Sequence, residues 1–382
     1  MNTRTATPAA LACSLLLSIA CGGGSGGTAT PPTSGTVGGT VTGLASGASL
    51  VLRNNGGNDR VVSANGAFTF SMPMASGHAY AVTVFSQPSS PTQVCSVANG
   101  SGMMGMGSVT DVAVSCAYTV SGTVVKGPVS GAAVTAYAVS GGTMGAQVGG
   151  GTTDSMGNFS ISVGDYSGPM ILQASGGTYT DEARGTTMSM QAGDVMACAI
   201  PSVAAGATTT GIRITPITSM ADARVRHMTG GITDGNIVAA NAAMGAYFSV
   251  GDILHAMPMD PLVTGAGAGA SQEARNYGMT LAAMSQYAMS IGMPGSSGIV
   301  TAMMDDASDG VMDGMMGSTG ISMGGMGGMM GGVTMMQPTA GTTGLATAMT
   351  AYLGSPTNRS GVQGSDMQPL IDKLTTSTGM IQ

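Results

Sequence analysis

The residues of this chain with the clearest chemical potential are methionines and aspartates near the C-terminus. Methionine accounts for 35 of 382 residues, and the densest run holds Met303, Met304, Met312, Met315, Met316, Met323, Met326, Met329, Met330, Met335 and Met336. Thioether sulfurs are soft donors that suit Cu(I) or Ag(I). The glycines between them would let several converge, which makes Met315, Met316, Met323, Met326, Met329 and Met330 a candidate copper ligand set. A second, smaller cluster is Met103, Met104 and Met106. Methionine also replaces leucine in helical stripes, as at Met244 and Met284, so a chain-wide preference for a flexible core filler explains the same clusters. Scavenging of oxidants is a third role open to exposed thioethers.

The acidic stretch 305–314 admits a calcium reading. Asp305, Asp309 and Gly310 fill the first, fifth and sixth places of an EF-hand loop, and Asp313 the ninth. Ala307 removes the third ligand, and Met316 stands where a bidentate glutamate closes the cage. Any calcium site on Asp305, Asp309 and Asp313 would therefore be irregular. The alternative is a solvated helix end, where like charges four apart repel by a few tenths of a kcal/mol.

Nucleophile and base motifs are sparse. The run Gly23-Gly24-Ser25-Gly26-Gly27 matches a nucleophile elbow in letters, without the strand and helix that would strain the serine. His78, His227 and His255 sit in no ligand-spaced or base-spaced motif, and there is no phosphate loop, zinc signature or haem attachment motif. A hydrolase would need a site assembled from separated residues of the C-terminal part.

Cysteines speak to location. An n-region with Arg4, an apolar stretch over 9–20 and small residues before Cys21 form an export leader too short to span a bilayer. The segment Leu17-Ser18-Ile19-Ala20-Cys21 resembles the lipobox of bacterial lipoproteins, with Ser18 standing where that pattern usually has leucine. The resemblance implies a signal peptide over 1–20, acylation of Cys21 and a protein anchored in the cell envelope, in the outer membrane; ordinary secretion after cleavage near Ala20 is the alternative. Cys95 and Cys116 lie in strand-like stretches, 93–97 and 109–117. Export makes a bridge between them plausible, worth about 3 kcal/mol by loop closure. Two buried free thiols are the other reading, and Cys198 reads as a small buried hydrophobe.

Composition agrees with an exported molecule and narrows its partners. Only 11 Lys and Arg are spread over the chain, with a net charge of -7, so nucleic acid is excluded as a partner for want of clustered cations. The expected partners are the membrane, through the lipid, and an envelope protein or polysaccharide. The Gly/Ser/Thr/Pro stretch 21–36 is a flexible tether reaching roughly 20 Å.

Beyond the tether the pattern is β. Val37-Gly38-Gly39-Thr40-Val41 opens one unit and Val120-Ser121-Gly122-Thr123-Val124 a second. Gly66-Ala67-Phe68-Thr69-Phe70-Ser71 in the first returns as Gly157-Asn158-Phe159-Ser160-Ile161-Ser162 in the second. Period-2 alternation through Val112, Val114 and Cys116, with turns at Asn54-Asn55-Gly56-Gly57 and Asn65-Gly66, predicts many short strands. The expected fold class is multidomain, β then α: an Ig-like antiparallel β-sandwich over 37–117, a second antiparallel β-sandwich over 118–215, and an all-α domain over 216–382 with a Gly/Met-rich loop at 314–336.

The second unit also resembles a known family. Val120-Ser121-Gly122-Thr123-Val124, then Gly131-Ala132-Ala133-Val134, then Thr153-Asp154-Ser155-Met156-Gly157-Asn158-Phe159 is similar to the carboxypeptidase-regulatory-like domain, a transthyretin-like sandwich. The resemblance covers about a quarter of the chain and implies a non-catalytic accessory module. The peptidase's zinc ligands have no counterpart.

After Pro216 the apolar spacing turns helical. Helices are predicted over 217–228, behind Thr233 through Phe248, behind Ser271 to Ile291, over 299–312, over 345–353, and after Ser365 through Leu374. Arg224, Arg226 and His227 suit the C-terminal end of the first. The function expected of this assembly is non-catalytic: a lipid-anchored envelope protein with a structural, adhesive or ligand-presenting role, needing no cofactor. A Cu(I)/Ag(I)-binding protein and a hydrolase with a site in the helical domain are the alternatives.

Overall fold

A computed structural model describes residues 33–89, 93–164, 166–203, 209–323 and 334–382. Strands occupy the chain as far as Ile214 and helices dominate from Pro216 onward, so the fold is β-rich with a C-terminal helical region.

The first β unit has two four-stranded sheets. In one, Val37–Thr42 lies between Gly66–Thr69, antiparallel to it, and Val109–Ala117, parallel to it, with Val94–Ala98 at the edge. The other runs Asn58–Val62, Leu50–Asn54, Ala79–Ser86, Ser101–Met103, all antiparallel. The second unit repeats this connectivity. Thr119–Val124 lies between antiparallel Asn158–Ser162 and parallel Thr209–Ile214, and a second sheet runs Thr143–Thr152, Ala133–Ser140, Gly168–Ser175, Val195–Val203.

The expectation of purely antiparallel sheets is therefore corrected. In each unit the last strand returns beside the first and runs parallel to it, an arrangement that a long intervening connection permits and a hairpin forbids. The alternation read from the sequence does appear: Val112, Val114 and Cys116 are buried and alternate with exposed Asp111, Ala113 and Ser115. Buried apolar side chains of both units form one contiguous cluster that reaches Leu254 and Val300 of the helical region. Valine is its commonest residue, and Phe68 and Phe70 meet edge-on with ring centres 5.8 Å apart.

The hairpin before Phe159 is held by Asp154, whose Oδ1 accepts the amide protons of Met156 and Asn158 at 2.8 Å each. These bonds keep its carboxyl below the ordinary carboxylate range.

Six helices complete the fold among the described residues: α1 Pro216–His227, α2 Asp234–Phe248, α3 Gln272–Ser290, α4 Ser297–Ser308, α5 Thr343–Leu353 and α6 Gly364–Thr376. Thr233 and Ser271 cap α2 and α3 by accepting the N–H groups of Asn236 and Ala274. The fourth helix stops short of its expected end at 312, because Gly310 takes φ +96° and turns the chain out of the helix. The last begins at Gly364 rather than behind Ser365, fixed by the Asp366 carboxylate accepting the Gln363 N–H at 2.8 Å.

Nor is the C-terminal region all-α. Met315–Met316 pairs with Thr319–Gly320, and Ser322–Met323 with Thr334–Met335, as two-residue antiparallel ladders. Glycine disfavours helix here and tolerates the tight turn at Gly317, φ +61°.

The helical core contains Phe248, Tyr277, Leu345 and Tyr352 together with buried Met220, Met244, Met279, Met284, Met303, Met349 and Met367. Helix α1 is fastened to the second unit: Ser219 Oγ accepts the Ala197 N–H at 2.8 Å and Thr218 Oγ1 donates to the Ala197 carbonyl at 3.0 Å. Among the described residues no helix is long and apolar enough to cross a membrane.

Candidate functional site

Between the second β unit and the helical region lies a cleft of about 240 Å³. One wall comes from Thr123, Pro128 and Met156 of the β unit, the other from Met257, Pro261 and Leu281. Met156 and Met257 are 68% and 51% exposed, so two flexible apolar side chains form its lips. Asp260 lines it as well, its Oδ1 accepting the Leu262 N–H at 2.9 Å.

Glu182 also lines this cleft and belongs to a buried polar network. Lys126 follows the strand Thr119–Val124, Glu182 follows Thr178–Asp181, and Ser285 sits on α3. Lys126 and Glu182 are 1% and 2% exposed, and Lys126 Nζ donates to Glu182 Oε2 at 2.7 Å. Lys126 Nζ also donates to Ser285 Oγ, and Ser285 Oγ donates to the same Glu182 oxygen at 2.5 Å. The Tyr179 ring lies 5.6 Å from the ammonium, and its hydroxyl is 3.1 Å from Ser296 Oγ. Next to Glu182, Asp181 receives Arg184, which reaches across to the Met293 carbonyl at 2.6 Å.

Chemically this arrangement neutralises charge and joins two regions. The ammonium and the carboxylate satisfy each other, and the serine is a bridge within their contact. A buried pair of this kind contributes little net stability while intact, and losing one member leaves a charge without a partner.

The sequence-based candidates fall elsewhere. Cys95 and Cys116, directly opposite on neighbouring antiparallel strands, form a disulfide. Cys198 is a buried free thiol, and burial pushes its pKa well up. Cys21 lies outside the described residues, as do Met326, Met329 and Met330. Of the remaining methionines in that set, Met323 is buried in the helical core, Met315 is half-buried, and Met316 is 45% exposed.

The aspartates are engaged with backbone. Asp309 accepts the N–H groups of Val311 at 3.0 Å and Gly317 at 2.7 Å, and Asp313 accepts that of Met315 at 3.0 Å. Asp305 is exposed, and among the described residues no three His, Cys, Asp or Glu side chains are grouped to hold a metal ion. The neighbour not singled out from the sequence, Asp306, is the buried one. Its Oδ1 accepts the N–H groups of Asp313 at 2.9 Å and Gly314 at 2.6 Å, and burial pushes its carboxyl up to about 7. His78, His227 and His255 are all exposed; His255 Nδ1 meets Asp252 Oδ2 at 2.8 Å.

Sequence reasoning also missed Lys126, Glu182 and Ser285. The one signal available was a lysine inside the apolar run Val124-Val125-Lys126 of a chain with only 8% charged residues.

No protein-family model and no curated protein matches this sequence. Among solved structures, the chain is similar to a 9R-lipoxygenase from Cyanothece at 13% identity, with a TM-score of 0.20, over 26% of this chain and 16% of that one. A Streptococcal ancillary pilin is similar at 12% identity and a TM-score of 0.17, over 49% and 63%. The Bacillus anthracis TIE protein is similar at 12% identity and a TM-score of 0.18, over 48% and 34%. The chain thus spans less than two thirds of each of these three.

Proposed function

We propose that this is an exported, non-catalytic envelope protein, anchored through a lipid on Cys21, with a structural, adhesive or ligand-presenting role. In this reading the tether carries two tandem β-sandwich modules, Ig-like over 37–117 and carboxypeptidase-regulatory-like over 118–215. These hold the helical domain 216–382 toward an envelope protein or polysaccharide.

The observation that carries the reading is the Cys95–Cys116 disulfide. Such bonds persist in oxidising compartments and are rare in the cytosol, so the bridge supports export independently of the leader. The Met-lipped cleft between β unit and helices supports the presenting role.

The test is fractionation of cells expressing the parent and Cys21→Ser. The parent is expected in the membrane fraction, and the variant in the soluble fraction with altered electrophoretic mobility. Unchanged partitioning and mobility would overturn the anchor and leave a secreted protein.

A further inference from the structure

We infer that one water molecule is bound at the joint between the second β unit and the helical region, bridging the carboxylate of Asp194 to the ammonium of Lys126. Asp194 immediately precedes the strand Val195–Val203 and is 6% exposed. Its Oδ1 accepts the Thr301 hydroxyl of α4 at 3.1 Å. Its Oδ2 is fully enclosed and has no hydrogen-bond partner among the described residues. A buried acceptor left in that condition is costly, and more so when it is charged.

The surroundings supply what a water needs. Asp194, Lys126 and Ser297 bound a space of about 10 Å³, closed on its other sides by Met190, Met196 and Val300. One water requires roughly this probe volume and two to four polar partners. Lys126 has three protons, of which Glu182 Oε2 and Ser285 Oγ take two. The third can be donated to the water, which in turn donates to Asp194 Oδ2, with the Ser297 hydroxyl as a further partner. A metal cation fits this space poorly because an ammonium already lines it.

The bridge makes Lys126 the common partner of two carboxylates and extends the polar network without a break. It runs from Thr301 through Asp194, the water and Lys126 to Glu182 and Ser285, tying both α4 and α3 to the β unit.

A crystal structure of the full chain, at a resolution that orders internal water, tests this directly. One density peak is expected within hydrogen-bond distance of both Asp194 Oδ2 and Lys126 Nζ. A direct contact between those two atoms, or no density in that space, overturns the assignment. In solution, water relaxation dispersion counts long-lived internal waters. Asp194→Leu, whose side chain fills the space, should show one fewer than the parent, and Thr301→Val, which leaves Asp194 Oδ2 in place, the same number. An equal count in Asp194→Leu and parent also overturns it. Should Asp194→Leu fail to fold, Val300→Ile encroaches on the same space without touching a charge and is read in its stead.

Discussion

Gly122 lies against Ile212 as Gly39 lies against Val112, each pair joining the first strand of a β unit to the last. A Cβ on Gly122 would stand 1.9 Å from the Ile212 carbonyl oxygen, and one on Gly39 would stand 1.7 Å from that of Val112. Both pairs sit where the parallel register shifts. The Gly-Thr-Val echo in the sequence thus marks a steric requirement: only a residue without a side chain lets the closing strand approach. Gly122→Ala should cost about 3 kcal/mol, the upper end for overpacking, because the obstacle is backbone and cannot rotate away. Urea unfolding measures it against Gly235→Ala. That site in α2 has nothing within 4 Å of an added Cβ, so the variant should gain up to about 0.5 kcal/mol through helix propensity. Equal midpoints for the two variants would refute the packing argument.

Lys126 and Glu182 give a second test, through the joint. Lys126→Met leaves a carboxylate buried without its ammonium and should destabilise by about 3–5 kcal/mol. Combining it with Glu182→Leu removes the carboxylate in direct contact with the lost ammonium and should recover part of that loss, the water-bridged Asp194 remaining. A double-mutant cycle in denaturant separates the two effects, and additive losses would mean that the groups do not interact in solution.

Local features of this fold were legible in the sequence, and distant ones were not. Thr233 and Ser271 announced their helices because a cap acts within three residues. Cys95 and Cys116 could be paired provisionally because each lies in a strand-like stretch and export favours a bridge. Lys126, Glu182 and Ser285 are separated by 56, 103 and 159 residues in their three contacts, and no periodicity relates them. The parallel return strands were hidden for the same reason, since an isolated strand carries no mark of its partner's direction. Asp306 shows how narrow the margin is. Asp305, Asp309 and Asp313 share a helical spacing that drew attention to the acidic side. One residue further on is about 100° around an ideal helix, and that rotation is enough to bury Asp306.

The Cys95–Cys116 bridge predicts a redox-dependent stability. It closes a loop of sequence separation 21, for which loop closure gives about 3 kcal/mol. Unfolding with and without reductant should show a loss of that size, and Cys95→Ser/Cys116→Ser should match the reduced parent. Cys198 should resist thiol reagents until the protein unfolds, since it is fully buried and its thiolate is disfavoured. Labelling of Cys198 at native conditions would contradict its burial.

Asp306 predicts a dependence on pH with a definite sign. Its pKa rises from 3.8 in the unfolded reference to about 7 in the folded chain, so between those values the folded state holds the extra proton. The group's favourable contribution is fully present below about 4 and is lost as pH rises toward 7, because deprotonation then charges a buried carboxyl whose Oδ2 has no partner among the described residues. Stability attributable to this site should therefore fall across that window and stay level above it. Asp306→Asn removes the titration and should flatten the profile over the same range, while leaving an oxygen to accept the Asp313 and Gly314 amides. Chemical denaturation of parent and variant at pH 4.5, 6 and 8, a series chosen to span the folded pKa of about 7, measures the difference. Parallel profiles would show that Asp306 titrates as an ordinary surface acid.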